Sequence, residues 1–333
     1  MSGSNDAVLV TGGAGYIGSH AVLALLDAGR RVVVVDNLVT GFAWAIDPRA
    51  TFVQGAVEDA ALMADTIARH GVGAIIHFAG SVVVPESVAD PLKYYRNNTA
   101  ASRSLIESAV SGDVRHFIFS STAATYGVPE SVPVAEDAPT VPINPYGRSK
   151  LMTEEMLRDV AAAHPINYAA LRYFNVAGAD PQGRSGQSTA GATHLIKVAV
   201  EAATGKRTGV SVYGTDFATP DGTGVRDYIH VSDLAAAHVD ALTLLEAQPE
   251  RSHTLNCGYG RGYSVLEVLD AVDRVTNMTI ERRMEDRRPG DPDSLVADNR
   301  AILSALAWRP RHDDLDRIVA DALSWERALA TRA

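Results

Sequence analysis

Val10-Thr11-Gly12-Gly13-Ala14-Gly15-Tyr16-Ile17-Gly18 is the stretch on which the fold turns. The apolar run before it, Ala7-Val8-Leu9-Val10, reads as a strand. The sequence after it reads as a helix to about Ala28, with Gly29 as its C-cap. Glycines fall at 12, 15 and 18. The first allows the tight turn, the second lets backbone approach a pyrophosphate, and the third permits close helix–sheet packing. The helix N-terminus then faces the phosphates. Arg31–Asp36 follows as a second strand, and Asp36 at its end can accept both hydroxyls of a ribose. A carboxylate there repels a 2′-phosphate, so the pattern selects NAD over NADP.

Working outward, Thr51–Val53, Ala74–Ala79, His116–Ser120 and Tyr168–Phe174 continue the alternation of short apolar runs with helical stretches. Runs apolar on both faces are strands covered by helices on both sides, which predicts a doubly wound parallel sheet of the Rossmann type. After about residue 176 the rhythm breaks. A Gly/Ser-rich segment, 178–191, leads to an apolar helix near Leu195–Ala203 and a polar loop, Asp216–Gly224. Further helices are expected near Ser232–Leu245, Ser264–Thr276 and Leu315–Leu329. The expected organisation is an NAD-binding domain over 1–176 and a smaller mixed α/β substrate lobe over 177–333, with some segments returning to the first domain.

A chain of 333 residues has room for both. Its 46% hydrophobic and 21% charged residues are ordinary for a globular protein. The net charge of −10 disfavours nucleic acid and anionic membrane as partners. Arg282, Arg283, Arg287 and Arg288 are interrupted by Glu285 and Asp286, so they make no polyanion-binding tract. The single cysteine, Cys257, allows no intrachain disulfide and suits a reducing compartment. Met1–Asp6 has no signal-peptide features, and no apolar run reaches membrane-helix length. A soluble cytoplasmic protein is expected. The 10 histidines show no H-E-x-x-H or Cys/His spacing, so no metal site is expected.

Tyr146-Gly147-Arg148-Ser149-Lys150 places a phenol and an amine four apart, on one face if the segment is helical. Ser120-Ser121-Thr122 ends the fifth strand, at the carboxyl edge where doubly wound sheets bind ligands. A free tyrosine, with a pKa of about 10, is ionised in roughly one molecule in a thousand at pH 7. Supplying the phenolate therefore costs about 4 kcal/mol unless cations such as Lys150 or an oxidised nicotinamide lower that pKa. With Thr122 sharing the proton, the set suits a general base that deprotonates an alcohol while hydride leaves its carbon.

The chain also resembles, nearly end to end, the extended short-chain dehydrogenase/reductase family, and within it the UDP-glucose 4-epimerases. The matching stretches are Thr11–His20, His77-Phe78-Ala79-Gly80, Pro85–Val88, Tyr94–Asn98, Phe119–Gly127, Asn144–Lys150, Arg172–Asn175, Gly222–Val231 and Arg288-Pro289-Gly290-Asp291. The resemblance implies reversible C4 epimerisation of UDP-glucose and UDP-galactose in galactose metabolism, through a 4-keto sugar and retained NAD. It makes Tyr146, Lys150 and Thr122 catalytic. It assigns Gly12, Gly15, Tyr16, Ile17, Gly18, Asp36, Asn37, Ala56, Val57, Phe78, Ala79, Gly80, Asn98, Ser120 and Tyr173 to the cofactor, with Tyr146 and Lys150. It assigns Asn175, His194, Leu195, Tyr213, Arg226, Arg288, Asp291 and Leu295 to the UDP-sugar, with Thr122 and Tyr146. Guanidinium forks suit a diphosphate and a carboxylate suits a diol. Leu295 stands where the family gates sugar size. The implied assembly is a homodimer through helices near Ala100–Val110 and Lys150–Ala163.

Several residues depart from that pattern. Ala56 stands where relatives carry an aspartate for the adenine amine, Val82 where some carry lysine, and His194 where many carry asparagine. Ala123-Ala124 replace the Asp-Glu pair that dehydratases place after the threonine. A non-catalytic regulator on this fold commonly loses the tyrosine or lysine, and both are here. The alternative substrate reading is another UDP-sugar, an N-acetylhexosamine or the xylose/arabinose pair. Gly205-Lys206-Arg207 reads as a surface turn, His230 as structural, Cys257 as core, and Tyr94-Tyr95 equally as packing or function.

Overall fold

A computed structural model describes residues 7–288 and 290–331; the readings made on Met1–Asp6 and Pro289 lie outside them. The chain opens with β1 (Ala7–Thr11), α1 (Tyr16–Asp27), β2 (Arg31–Asp36), β3 (Thr51–Gln54), α2 (Ala60–His70) and β4 (Val72–His77). Two short helices, α3 (Val84–Ala89) and α4 (Pro91–Tyr94), lead through a π-helical turn, Tyr95–Ala100, into α5 (Ala101–Ser111). Then come β5 (His116–Thr122), α6 (Pro145–Ala163), β6 (Asn167–Tyr173) and β7 (Asn175–Ala177). The second half runs α7 (Leu195–Ala203), β8 (Val210–Tyr213), β9 (Val225–His230), α8 (Val231–Ala247), β10 (His253–Cys257), β11 (Gly262–Ser264) and α9 (Val265–Thr276). It closes with β12 (Arg282–Glu285), β13 (Ser294–Leu295), α10 (Arg300–Ala305) and α11 (Leu315–Leu329).

The main sheet has seven strands in the order β10-β6-β5-β4-β1-β2-β3, every pair parallel. The chain runs outward in both directions from β1, so a crevice opens at the carboxyl ends of β1 and β4. The even side chains of β1, Val8 and Val10, pack with Val22 and Leu25 of α1 and Leu234 and Leu242 of α8. The odd ones, Ala7 and Leu9, pack with Met63 of α2, Leu105 of α5 and Leu157 of α6. Both faces are therefore buried, which is why Val32–Val35 reads as an unbroken apolar run. β3 is the edge, and its side chains are only half buried.

β4 starts and ends two residues earlier than the Ala74–Ala79 expected from the sequence. The Phe78 amide still bonds the Thr11 carbonyl at 3.0 Å, but Ala79 and Gly80 leave the sheet to line the crevice. The segments that return to the first sheet are α8, which lies on α1, and β10, which adds to β6. In the lobe, β9 pairs with β7, β11 and β13. β12 pairs with β8. Most of these strands have two to four residues, too short for periodicity to betray them. The arginine-rich stretch is paired internally: Arg282 with Asp270 and Asp273, Arg283 with Glu281, and Arg287 with Asp216 and Asp293. Among the described residues no helix is long and apolar enough to cross a membrane.

Candidate active site

The turn after β1 is held by the Gly12 amide, which bonds the Val35 carbonyl at 2.9 Å. Gly12 has φ +72°, and a Cβ there would lie 2.7 Å from the Ala79 backbone nitrogen, so only glycine fits. Asp59, Asn144, Ser264 and Asp314 cap their helices with side chains, whereas α1 starts at Gly15 without one. Its first amides are left for an anion. The buried Asp36 carboxylate is fixed by two amides, Ala14 on Oδ2 at 3.0 Å and Leu38 on Oδ1 at 2.8 Å. Each oxygen keeps a lone pair for a ribose hydroxyl. Asn37 accepts from the Val39 amide. Gly55 bonds the Asp36 carbonyl, which brings Ala56 and the buried Val57 alongside. Cradle, uncapped helix and carboxylate together fit NAD.

Other assigned cofactor residues act less directly. The Tyr16 hydroxyl donates to the Gly178 carbonyl at 2.7 Å and the Ile17 side chain packs into the core, leaving their backbone for the phosphates. Phe78 packs on His238. Asn98, in the π-helical turn, accepts from the Ser81 amide at 2.7 Å and donates to the Ser81 carbonyl and Ser149 Oγ, both at 3.0 Å. These bonds tie the Gly80–Ser81 loop to α6 and leave one lone pair on Asn98 Oδ1.

Asn144 starts α6 by accepting from the Gly147 amide at 2.8 Å, with Pro145 in the first turn. Tyr146 and Lys150 then share a face, as the spacing predicts. Thr122, at the end of β5, interacts with the Tyr146 phenol and opposes the rise that burial gives its pKa. Lys150 is buried, donates from Nζ to the Ser120 carbonyl at 2.9 Å, and lies 4.9 Å from the Phe119 ring centroid. Ser120 Oγ bonds the Tyr173 hydroxyl. Tyr94 meets the Tyr146 ring edge-on at 6.4 Å, and its hydroxyl reaches the Val83 carbonyl and Glu86; it is packing for the catalytic ring. Burial raises the Tyr146 pKa, with Thr122 opposing, and brings Lys150 down to about 8, with Glu154 opposing. In this structure burial outweighs the lowering by cations expected from the sequence.

Asn175, His194 and Leu195 line one pocket together with Tyr16 and Tyr228. Burial pulls the His194 pKa down. Tyr213 is not part of that wall: it is exposed, and the Arg288 guanidinium lies 3.7 Å from its ring centroid. Arg226 is the second residue of β9 and donates from its guanidinium to the Val225 carbonyl at 2.8 Å. Burial lowers its pKa while Asp291 and Asp293 oppose. Leu295 pairs with Arg226 in the register and packs against the cluster of Ala123, Tyr126 and Val134, next to Thr122 in the chain.

The family profile for "NAD dependent epimerase/dehydratase" matches residues 8–258. The chain belongs to the NAD dependent epimerase/dehydratase family. It is 56% identical over 329 residues to a UDP-glucose 4-epimerase of Azospirillum brasilense, covering 99% of this chain and 94% of that one. The crystal structure of a UDP-glucose 4-epimerase from Stenotrophomonas maltophila with bound NAD and formylated UDP-arabinopyranose superposes with a TM-score of 0.95 at 40% identity, covering 98% and 100%. The UDP-Glc/GlcNAc 4-epimerase of Campylobacter jejuni gives 0.85 at 44%, covering 97% and 99%. Within this family frame, two side-chain groups fall outside the crevice. Lys206 and Arg207 pair with Glu326 and Glu201 at the end of α7. His230, His312 and Asp321 converge within 4.8 Å, a grouping that sequence spacing does not reveal. His230 Nδ1 accepts the Ser232 amide at 3.0 Å and caps α8, so Nε2 carries the hydrogen that faces Asp321. A cation would have to displace that hydrogen.

Proposed function

We propose that this chain interconverts UDP-glucose and UDP-galactose by inverting C4, as an NAD-retaining 4-epimerase of galactose metabolism. The observation that carries this reading is Tyr146 and the buried Lys150 on one face of α6, with Lys150 Nζ on the Ser120 carbonyl at the carboxyl edge of β5, where Thr122 ends the strand beside the crevice. NAD supplies the capacity to take hydride from C4 and return it. Tyr146 takes the proton of the 4-hydroxyl and later gives it back; Thr122 holds the 4-oxygen. Lys150, kept against the Ser120 carbonyl, holds the nicotinamide ribose and favours the phenolate. Arg226 and Arg288 bind the diphosphate and Asp291 the uridine ribose. Asn175, His194, Leu195 and Tyr213 line the path of the nucleotide-sugar. Ala123 and Ala124 offer no proton carrier for elimination at C5/C6, which supports epimerisation over dehydration.

A second reading is 4-epimerisation of N-acetylhexosamines or the xylose/arabinose pair. It is supported by the intermediate size of Leu295 beside Ala123 and by the similarity to the Campylobacter enzyme. The cell compartment is the cytoplasm, consistent with one buried free cysteine. The assembly is a homodimer through α5 and α6, where Met152 is exposed. The test is to incubate purified protein with a panel of UDP-sugars and follow C4 configuration by NMR. Tyr146→Phe should lose a hundredfold or more in turnover, since general base catalysis contributes about 10²–10⁴, with substrate binding little changed. Near-native turnover in that variant would end the mechanism.

A further inference from the structure

We propose that Glu154 is a positioning residue for the reaction proposed above, on which this inference rests: its buried carboxylate locks α6 to the ends of β5 and β6 and so sets Tyr146 and Lys150 against Thr122 and Ser120. Tyr146, Lys150 and Glu154 are spaced by four residues along α6 and form one stripe running inward from the crevice. At 1.5 Å per residue, Glu154 lies about 6 Å below Lys150 along the helix axis. Arg172 of β6 grips the carboxylate with a fork, Nε at 3.0 Å and Nη2 at 2.6 Å, and Ser121 Oγ of β5 donates to the same group. Ser121 and Arg172 are register partners, so both side chains leave the sheet on the α6 face.

The neighbours of these anchors are the reacting set. Ser121 stands between Ser120, whose carbonyl holds Lys150 Nζ, and Thr122, which ends β5 and opposes the rise that burial gives the Tyr146 pKa. Arg172 precedes Tyr173, whose hydroxyl bonds Ser120 Oγ. Arg172 is itself fixed, with Nη1 3.3 Å from the Glu136 carbonyl and the guanidinium 4.8 Å from the Tyr126 ring centroid. A carboxylate buried this deeply, with a fork and a hydroxyl on it, holds three elements to one geometry.

Glu154 also acts through its charge. The groups facing Lys150 are Tyr146 and Glu154 from its own helix, His77 from β4 and the Phe119 ring from β5. Of these Glu154 is the anion, and it favours the ammonium that burial disfavours. Replacing it by glutamine removes that support and leaves Arg172 as an uncompensated cation nearby.

The chain has four lysines, so the 13Cε-lysine NMR spectrum of the whole protein can be titrated, with Lys150 identified from Lys150→Arg. In Glu154→Gln the Lys150 midpoint should fall by about one pH unit, and the alkaline limb of kcat should move with it while KM holds. Glu154→Asp keeps the charge and should restore the midpoint while kcat stays reduced by its shorter reach. An unmoved midpoint, or a kcat loss uniform across pH, overturns the proposal. Should Glu154→Gln not fold, Ser121→Ala removes one link alone: kcat should fall severalfold at unchanged KM, and unchanged kcat overturns the proposal. The NMR readout needs no turnover, so an inactive wild-type enzyme would count against the reaction and not against the role of Glu154.

Discussion

Leu295→Tyr tests what sets sugar size. Leu295 lies in a two-residue strand beside Arg226 and packs against the cluster of Ala123, Tyr126 and Val134, next to Thr122 in the chain. Ser294 pairs with Val225 and, by the alternation of a strand, faces the side opposite to Leu295. Leucine fills part of this corner, and a tyrosine ring has to extend past Ala123 toward the substrate. Steric misfit of a 2-acetamido group is worth about 1–3 kcal/mol, or roughly 10–200-fold in selectivity. The same ring pressed against Phe174 costs about 1–3 kcal/mol of stability, which a melting curve reads separately. The assay is kcat/KM for UDP-galactose and UDP-N-acetylgalactosamine in both proteins. Tyrosine should abolish the N-acetyl reaction and spare the hexose; Leu295→Ala should raise the N-acetyl reaction. An unchanged ratio in both variants would show that Leu295 does not face the sugar.

Asp36→Asn keeps the shape but sets an NH₂ against one of the two amides that Asp36 accepts, a loss of about 1.5–3 kcal/mol. NAD affinity should fall by tenfold or more by calorimetry; an unchanged Kd refutes the ribose assignment. Ala56→Asp restores one hydrogen bond beside the adenine, worth about 0.5–1.5 kcal/mol or up to roughly tenfold. Wild-type activity after gel filtration should rise on adding NAD, and the variant should depend on it less. Wild-type protein that keeps full NAD through extensive dialysis would show the missing carboxylate to be irrelevant. Burial lowers His20, His77 and His238 to about 4, 3 and 4, so each stays neutral when folded and takes a proton on unfolding below its ordinary value of about 6.5. Their stabilising contribution is therefore full above pH 6.5 and is lost as pH falls toward 4. Asp227, raised to about 6 by burial, works oppositely and gains as pH falls through the same window. Three groups against one predict a net drop of a few kcal/mol between pH 7 and 5 in urea unfolding; a flat profile contradicts it.

The sheet was legible because its strands are buried on both faces and its turn carries glycines with a defined steric job. The Tyr146–Lys150 pair was legible because helical spacing alone puts both on one face. What escaped was set by long-range contact. Nothing local marks Glu154 and Arg172 as partners, 18 residues apart and on different elements. The bonding of Asn98 to Ser81 and Ser149 depends on where the loop after β4 returns. The lobe strands are too short to show a period, and the His230–His312–Asp321 grouping draws on segments that meet only in the fold.

The last strand of the main sheet comes late. β10 lies against β6, yet the chain completes the whole of α7, β8, β9 and α8 between them. On a ribosome, the first 176 residues emerge with β6 as an open edge and with the face of α1 that meets α8 uncovered. Both are surfaces that pair readily with other chains. Synthesis must therefore pass residue 257 before the nucleotide-binding half can close. A fragment cut at the end of the first half would be aggregation-prone, and a circular permutant opened between β7 and α7, which is synthesised with β10 ahead of β6, would remove that delay.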